Sequence, residues 1–336
     1  MNAKVHNTIH DTLIAANPFK YLNKLQMKQV QDFGQFLTFS NEDILQQGKP
    51  GLGLFVILNG KVNISVIALG RGKISLAQLS QGNIFGEVSL LQNSPCTASV
   101  RAHQKVECFL LERTCYDAFY TLMPEIRYLI NRSLIEDVAH RQREMLNTIK
   151  QLMRYQNESK CTRLNSSRSN ITKLSIEQRL DKFSYLHQLP IFQSFTKDEF
   201  YNFLESVQII EASKRYAVIK NQQTDCPCYF VVSGSVHGGI ESDKHRARFA
   251  VHGPNTLICP PSFIDKKPEM FDYITNDPSV LLKINTATLE KQARENPLFW
   301  YKCFDLFCKY IVSLQLKLNN LMVRLTNEKL ETIIKE

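Results

Sequence analysis

The sequence predicts a mainly β, α+β protein in which one domain occurs twice. Three observations predict it. Val62, Ile64 and Val66, with polar Asn63 and Ser65 between them, alternate with the period of half-buried antiparallel strands. A register of matching residues recurs at an offset of about 174 positions. Helical segments flank each strand-rich region.

The repeat runs from one end of a domain to the other. Ile44-Leu45 and the run Phe55 to Val62 match Val218-Ile219 and the run Tyr229 to Val236. One residue is then lost. The match resumes with Gly82 against Asn255 (both tolerate positive φ), Pro95 against Pro268, Leu111 against Ile284 and Pro124 against Pro297. Each copy is preceded by a helical segment, Lys20–Leu37 and Lys197–Val207. Between the copies, Gln156–Asn170 carries four serines and three asparagines and reads as loop. These features divide the chain into a first domain over 1–155, a linker over 156–172 and a second domain over 173–336.

Each copy ends in a long helix. In the second, Trp300, Phe304, Phe307, Ile311, Leu314, Leu318, Leu321 and Leu325 follow a 4-3-4-3-4-3-4 spacing, which keeps one apolar seam facing a partner helix. Met145, Ile149 and Leu152 give a shorter version in the first. The first turns of the second helix can pack on their own domain, and the later turns, at about 1.5 Å per residue, outrun it. The seam is therefore expected to pair helices between the two copies, across a homodimer, or with a protein partner.

Residues 85 to 100, Phe-Gly-Glu-Val-Ser-Leu-Leu-Gln-Asn-Ser-Pro-Cys-Thr-Ala-Ser-Val, carry the clearest signal of function. Gly86 allows close backbone approach, and residues 88–91 form a helical turn whose free N–H groups suit an anion. This stretch resembles the phosphate-binding cassette of the cyclic nucleotide-binding domain family, which reads Phe-Gly-Glu-x-(Ala/Ser)-Leu, a loop, then Pro-Arg-x-Ala-(Ser/Thr)-Val. The resemblance implies two eight-stranded antiparallel jelly-roll barrels, each flanked by helices. It implies a ligand site at Phe85, Gly86, Glu87, Val88, Ser89, Cys96, Thr97, Ala98 and Ser99, with Glu87 accepting a ribose hydroxyl and cyclic AMP or cyclic GMP as the candidate ligand. No cofactor is otherwise expected.

The departure from the pattern is Cys96, which stands where the family has arginine. A neutral thiol cannot replace a charge-assisted fork on a phosphate. Losing one partner of a desolvated charge pair costs roughly 2–5 kcal/mol, on the order of 30- to several-thousand-fold in affinity. Lys61, Arg71, Lys73 and Arg101 are the cations available for rescue, and strand alternation turns Arg101 away from Cys96. A helix N-terminus beside Cys96 would lower its thiol pKa and raise its reactivity. In the second copy the cassette reads Cys259, Pro260, Ser262 and Glu269, with proline removing a donor and glutamate standing in the arginine's place. That site is expected to bind no cyclic nucleotide.

Composition narrows the rest. An apolar fraction of 43% suffices for ordinary cores. The nine cysteines show no zinc spacing, since Cys226-Pro227-Cys228 is too tight, and read as reduced thiols. No transmembrane run or signal peptide is visible, so a cytoplasmic protein is expected, with a signal-peptide-independent exit left open. The net charge of +9 concentrates between Arg141 and Lys173, where eight Lys/Arg face Glu144 and Glu158. With few interleaved aromatics this reads as a solvated helix and linker, and nucleic acid is not expected. Phosphate-loop, nucleophile-elbow and zinc-protease motifs are missing, and no catalytic or metal residue is assigned. The chain has no Arg-Arg pair, which the inhibitor segment of kinase regulatory subunits carries. The expectation is a non-catalytic regulatory protein, with a ligand-free interaction scaffold, recruiting a partner through its long helices and basic linker, as the alternative.

Overall fold

The computed structural model describes residues 13, 17–68, 72–154, 169–172, 174–224, 226–242 and 245–335. The chain divides into two compact units, Met1–Asp137 and Val138–Glu336.

In the first unit, helix α1 (Lys24–Asp32) begins at a reciprocal cap. The Asn23 side chain accepts from the Gln26 N–H, and the Gln26 side chain accepts from the Asn23 N–H. The helix is shorter than the Lys20–Leu37 segment expected. Its last residues are instead β1 (Gln35–Ser40), which pairs antiparallel with β6 (Ser99–Glu112) from Gln35 opposite Leu110 to Ser40 opposite Lys105. The ladder satisfies those backbone groups better than a fraying helix end would. The remaining strands are β2 (Asp43–Leu45), β3 (Gly53–Ala68), β4 (Gly72–Ser80) and β5 (Ile84–Phe85), followed by the short helix α2 (Glu87–Gln92). All six strands join one sheet, ordered β1-β6-β3-β4 with β2 on β6 and β5 on β3. Its apolar face buries Phe55, Ile57, Val62, Phe85, Val100, Val106 and Leu110. Helices α3 (Arg113–Leu122) and α4 (Pro124–Met153) follow β6.

The second unit repeats this order. Strand β7 (Ser169–Thr172) pairs with β8 (Val207–Ala212), so the last residues of the expected linker are strand; 155–168 lie outside the described residues. Helices α5 (Ile176–Phe183) and α6 (Lys197–Ser206) precede β8, and α6 matches the expected segment. Strands β9 (Ala217–Ile219), β10 (Cys228–Ser233), β11 (Val236–Ser242), β12 (His245–His252) and β13 (Thr256–Ile258) lead to helix α7 (Pro261–Asp265). Strands β14 (Asp272–Thr275) and β15 (Ser279–Ile284) and helices α8 (Thr286–Glu295) and α9 (Pro297–Lys335) complete it. The repeat is visible as register: Leu54 faces Leu111 in the first unit, and Cys228 faces Ile284 in the second. Gly82 and Asn255 both have positive φ, 82° and 65°. Gly60 and Gly234, at φ 93° and 80°, lie so close to the opposite strand that a Cβ would strike Lys105 and Ser279.

The architecture is mainly β with flanking helices, but the expected closed eight-stranded barrels are not formed. In the first unit β3 and β6 are single long strands that pass through the whole sheet, which leaves six strands. In the second unit the corresponding strands are broken at Gly234 and at Asn276–Pro278, giving an open five-stranded sheet, β13-β10-β15-β8-β7, and a separate four-stranded one, β12-β11-β14-β9.

The seam of α9 has a partner within the second unit. Ile311, Leu314, Leu318, Leu321 and Leu325 are buried, and the last four share a core with Leu146, Ile149 and Met153 of α4 and with Val231, Ile258 and Tyr273 of the sheets. The Gln142 side chain donates to the Ile311 carbonyl at 2.8 Å. Of the pairings open to the sequence, the structure realises the one between helices of a single chain. Among the described residues no helix is long and apolar enough to cross a membrane.

Candidate functional site

Strand β5 and helix α2 place the first cassette. Phe85 is buried and stacks on Phe55 of β3, ring centroids 4.7 Å apart and nearly parallel. Gly86 then caps α2 with φ 87°, and a Cβ there would strike the Gly53 carbonyl, so the turn admits only glycine. Glu87 and Ser89 are buried on the first turn of α2, and Val88 is half-buried. The Ser89 hydroxyl donates to the Gly86 carbonyl at 3.0 Å. Beyond α2, the Cys96 N–H donates to the Lys49 carbonyl and its own carbonyl accepts from Gly48, each at 2.8 Å. Thr97 and Ala98 are half-buried, and the Ser99 hydroxyl accepts from the Gln47 N–H at 3.0 Å. Across the cassette, the Ser89 hydroxyl lies within hydrogen-bond reach of the Cys96 thiol.

Cys96 is 5% exposed. Burial raises its thiol pKa against the opposing pulls of the Ser89 hydroxyl and the Arg113 charge. The thiol therefore stays protonated at neutral pH, and the lowered pKa expected from a helix N-terminus does not arise.

Of the cations considered from sequence, none among the described residues bonds to a cassette side chain. Arg101 is engaged by Asp43 at 3.0 Å and by the Asn41 carbonyl. Lys61 and Lys73 are exposed on β3 and β4, and Arg71 lies outside the described residues. The cation that does reach the cassette is Arg113, at the start of α3. It donates to the Ser89 carbonyl at 2.7 Å and to the Asn93 side chain at 3.0 Å, with longer bonds to Leu90 and Gly51. Its charge sits on the carbonyl end of α2, where a cation is favourable. Sequence reasoning missed it because only the pairing of β3 with β6 brings residue 113 beside residues 89–93.

The second cassette is built differently. Pro260 and Pro261 open α7 and supply no N–H. Glu269, fully buried, turns its carboxylate onto the remaining donors. One oxygen accepts from the Ser262 hydroxyl at 2.6 Å and the Ser262 N–H at 3.4 Å; the other accepts from Met270 and Phe271 N–H at 2.9 and 3.1 Å. Burial raises its pKa, and these four bonds pull the other way. The chain's own carboxylate sits on the donors that an outside anion would need. Arg143 of α4 secures the far end of α7, pairing with both oxygens of Asp265 and donating to the Pro268 carbonyl at 2.8 Å. Cys259 is buried directly before Pro260.

A family profile described as "Cyclic nucleotide-binding domain" matches residues 40–122, which span β2 to α3 and include the whole first cassette. Residues 40–122 are therefore similar to the cyclic nucleotide-binding domain family. Human cGMP-dependent protein kinase 2 is 28% identical over 129 residues, 37% of this chain and 16% of the kinase. The cyclic AMP receptor protein of Thermus thermophilus is 35% identical over 112 residues, 33% of this chain and 50% of that protein. The chain thus spans half or less of these two relatives' own lengths. Among solved structures, the regulatory domain of Toxoplasma gondii PKA with cAMP aligns over 89% of this chain and 95% of its own, at 12% identity and TM-score 0.34. Among the described residues no group of three or more His, Cys, Asp or Glu could hold a metal ion.

Proposed function

We propose that the chain is a non-catalytic regulatory protein with tandem cyclic-nucleotide-binding-like domains, divided at 1–155 and 173–336. The first cassette, Phe85 to Ser89 with Cys96 to Ser99, is a weak or altered ligand sensor, with cyclic AMP or cyclic GMP as candidate ligand. The second, at Cys259, Pro260, Ser262 and Glu269, binds none. One contrast carries this reading. The glycine turn and buried Glu87 are kept in the first cassette while its cation position holds a protonated thiol, and the second cassette fills its own donors with Glu269. The names of the relatives, a cGMP-dependent kinase and a cyclic AMP receptor, support a nucleotide-responsive regulator.

Calorimetry of the full chain with cyclic AMP and cyclic GMP tests it, beside Cys96→Arg and Glu87→Ala. Weak wild-type binding that Cys96→Arg tightens by roughly 30-fold or more, and that Glu87→Ala weakens, is the expected result. Absence of binding in both the wild type and Cys96→Arg would sink the sensor. The scaffold reading, favoured by the neutral Cys96 and the occupied second cassette, predicts that Glu87→Ala changes neither activity nor assembly. In that reading the long helices and the basic linker recruit a protein partner.

A further inference from the structure

Cys228 takes no part in the proposed function, and Cys259 enters it only as a position of the second cassette. Strands β10 and β13 pair antiparallel with Tyr229 opposite Ile258 and Phe230 opposite Leu257. One step further along the same register, Cys228 stands opposite Cys259. Directly opposed antiparallel residues have Cα atoms roughly 4.5–5.5 Å apart, inside the window of roughly 4.4–6.8 Å that a disulfide requires. The two Sγ atoms are 3.0 Å apart, and both residues are buried free thiols. The equivalent positions of the first copy, Leu54 and Gly86, have no such chemistry. Cys226 is close in sequence, but its thiol turns to the Gln223 carbonyl at 3.5 Å.

We infer that Cys228 and Cys259 are a site of oxidative cross-linking, closed by a peroxide into a disulfide that fastens the second cassette to strand β10. Cys259, 5% exposed against none for Cys228, is the thiol a small oxidant meets first. Its thiolate attacks one peroxide oxygen, the O–O bond breaks, and the departing hydroxide takes up the proton the thiol had released, leaving a sulfenic acid and water. The Cys228 sulfur then attacks the Cys259 sulfur, the S–O bond breaks, and a second water leaves with the remaining proton. Two sulfurs lose two electrons and the peroxide gains them. Burial holds the Cys259 thiol well above its ordinary pKa, so the thiolate is scarce and the reaction slow. The site suits sustained oxidant exposure. The bond would join the first residue of β10 to the residue before Pro260, and so fix the approach to α7.

The test treats the folded full chain with hydrogen peroxide, blocks remaining thiols, and only then unfolds and digests it without reductant. The expected product is a peptide pair joining the 226–228 region to Cys259, lighter by two hydrogens, whose rate of formation climbs about tenfold per pH unit and which dithiothreitol reverses. It forms in Cys226→Ala and fails in Cys228→Ala. The oxidised protein should melt several degrees higher, by Trp300 fluorescence, than the reduced one. Full alkylation of Cys228 and Cys259 after prolonged oxidation would overturn the inference. So would a linkage through Cys226, or one that appears only when oxidant is added to unfolded chain.

Discussion

His252 ends β12 with its ring buried against Tyr273 of β14, centroids 5.9 Å apart, and its Nε2 has no hydrogen-bond partner among the described residues. Burial first, and the nearby Lys317 charge of α9 second, lower its pKa from 6.5 to about 3. The folded protein therefore refuses a proton that the unfolded chain takes near 6.5. The stabilising difference is full above that value and is lost as pH falls toward 3. At pH 5 the unfolded state is about 1.5 units below its pKa, a loss of about 2 kcal/mol relative to neutral pH. For a unit of this size that is a fall of roughly 4–8 °C in melting temperature. The only tryptophan, Trp300, lies in the second unit, so its fluorescence follows that unit alone. Melts of the full chain and of His252→Phe between pH 8 and pH 5 isolate this residue. His237 remains in both proteins; its imidazole is lowered by burial and by Arg248 and Arg246 against the Asn276 bond. The wild type should lose that much more than the variant on acidification. Two parallel curves would refute the reasoning.

Leu318→Ala should lower the stability of the second unit by about 2–5 kcal/mol, because Leu318 is fully buried in its core; chemical denaturation read at Trp300 measures it. Leu318→Asp should prevent that unit from folding, and a folded, soluble Leu318→Asp chain by circular dichroism would contradict the packing described. Arg113→Gln removes the charged donor from the Ser89 carbonyl and should cost about 1.5–3 kcal/mol, with faster hydrogen exchange over residues 87–96. Burial works against the Glu199 charge, but Lys302, at 2.8 Å, and the Thr196 N–H hold its carboxyl below the ordinary value of 4.5. Its contribution is full above that value and is lost as pH falls through the folded pKa, so an acid titration of Glu199→Gln should show a shallower loss than the wild type.

What the sequence disclosed was local or periodic. Strand alternation, the α9 leucines and the glycine turn at Gly86 each follow from a few neighbouring residues, and the repeat is a comparison of the chain with itself. Gly82 and Asn255 share a positive φ that could be read from residue type alone. What stayed hidden depends on strand pairing. Arg113 meets residues 89–93 only after β3 and β6 are laid together, and the Glu269 carboxylate finds its donors only once α7 is folded. A glutamate opposite a phosphate site reads from sequence as repulsion; in the structure its buried carboxyl accepts from Ser262, Met270 and Phe271. The helix expected through Leu37 fails for a related reason, since β1 gains a ladder whose partner lies about 70 residues away. The open sheets could not be foreseen either, because strand continuity at Gly60 and interruption at Gly234 come from glycines in matching positions.

Helix α4 starts in the first compact unit and finishes in the second, and Arg143, Leu146, Ile149 and Met153 serve the second unit's packing although they trail the first repeat in sequence. The span that repeats in the sequence is thus not the span that packs as one unit. A crossover placed at the sequence border between the repeats would strip the second copy of wall residues and leave the clasp on Asp265 empty.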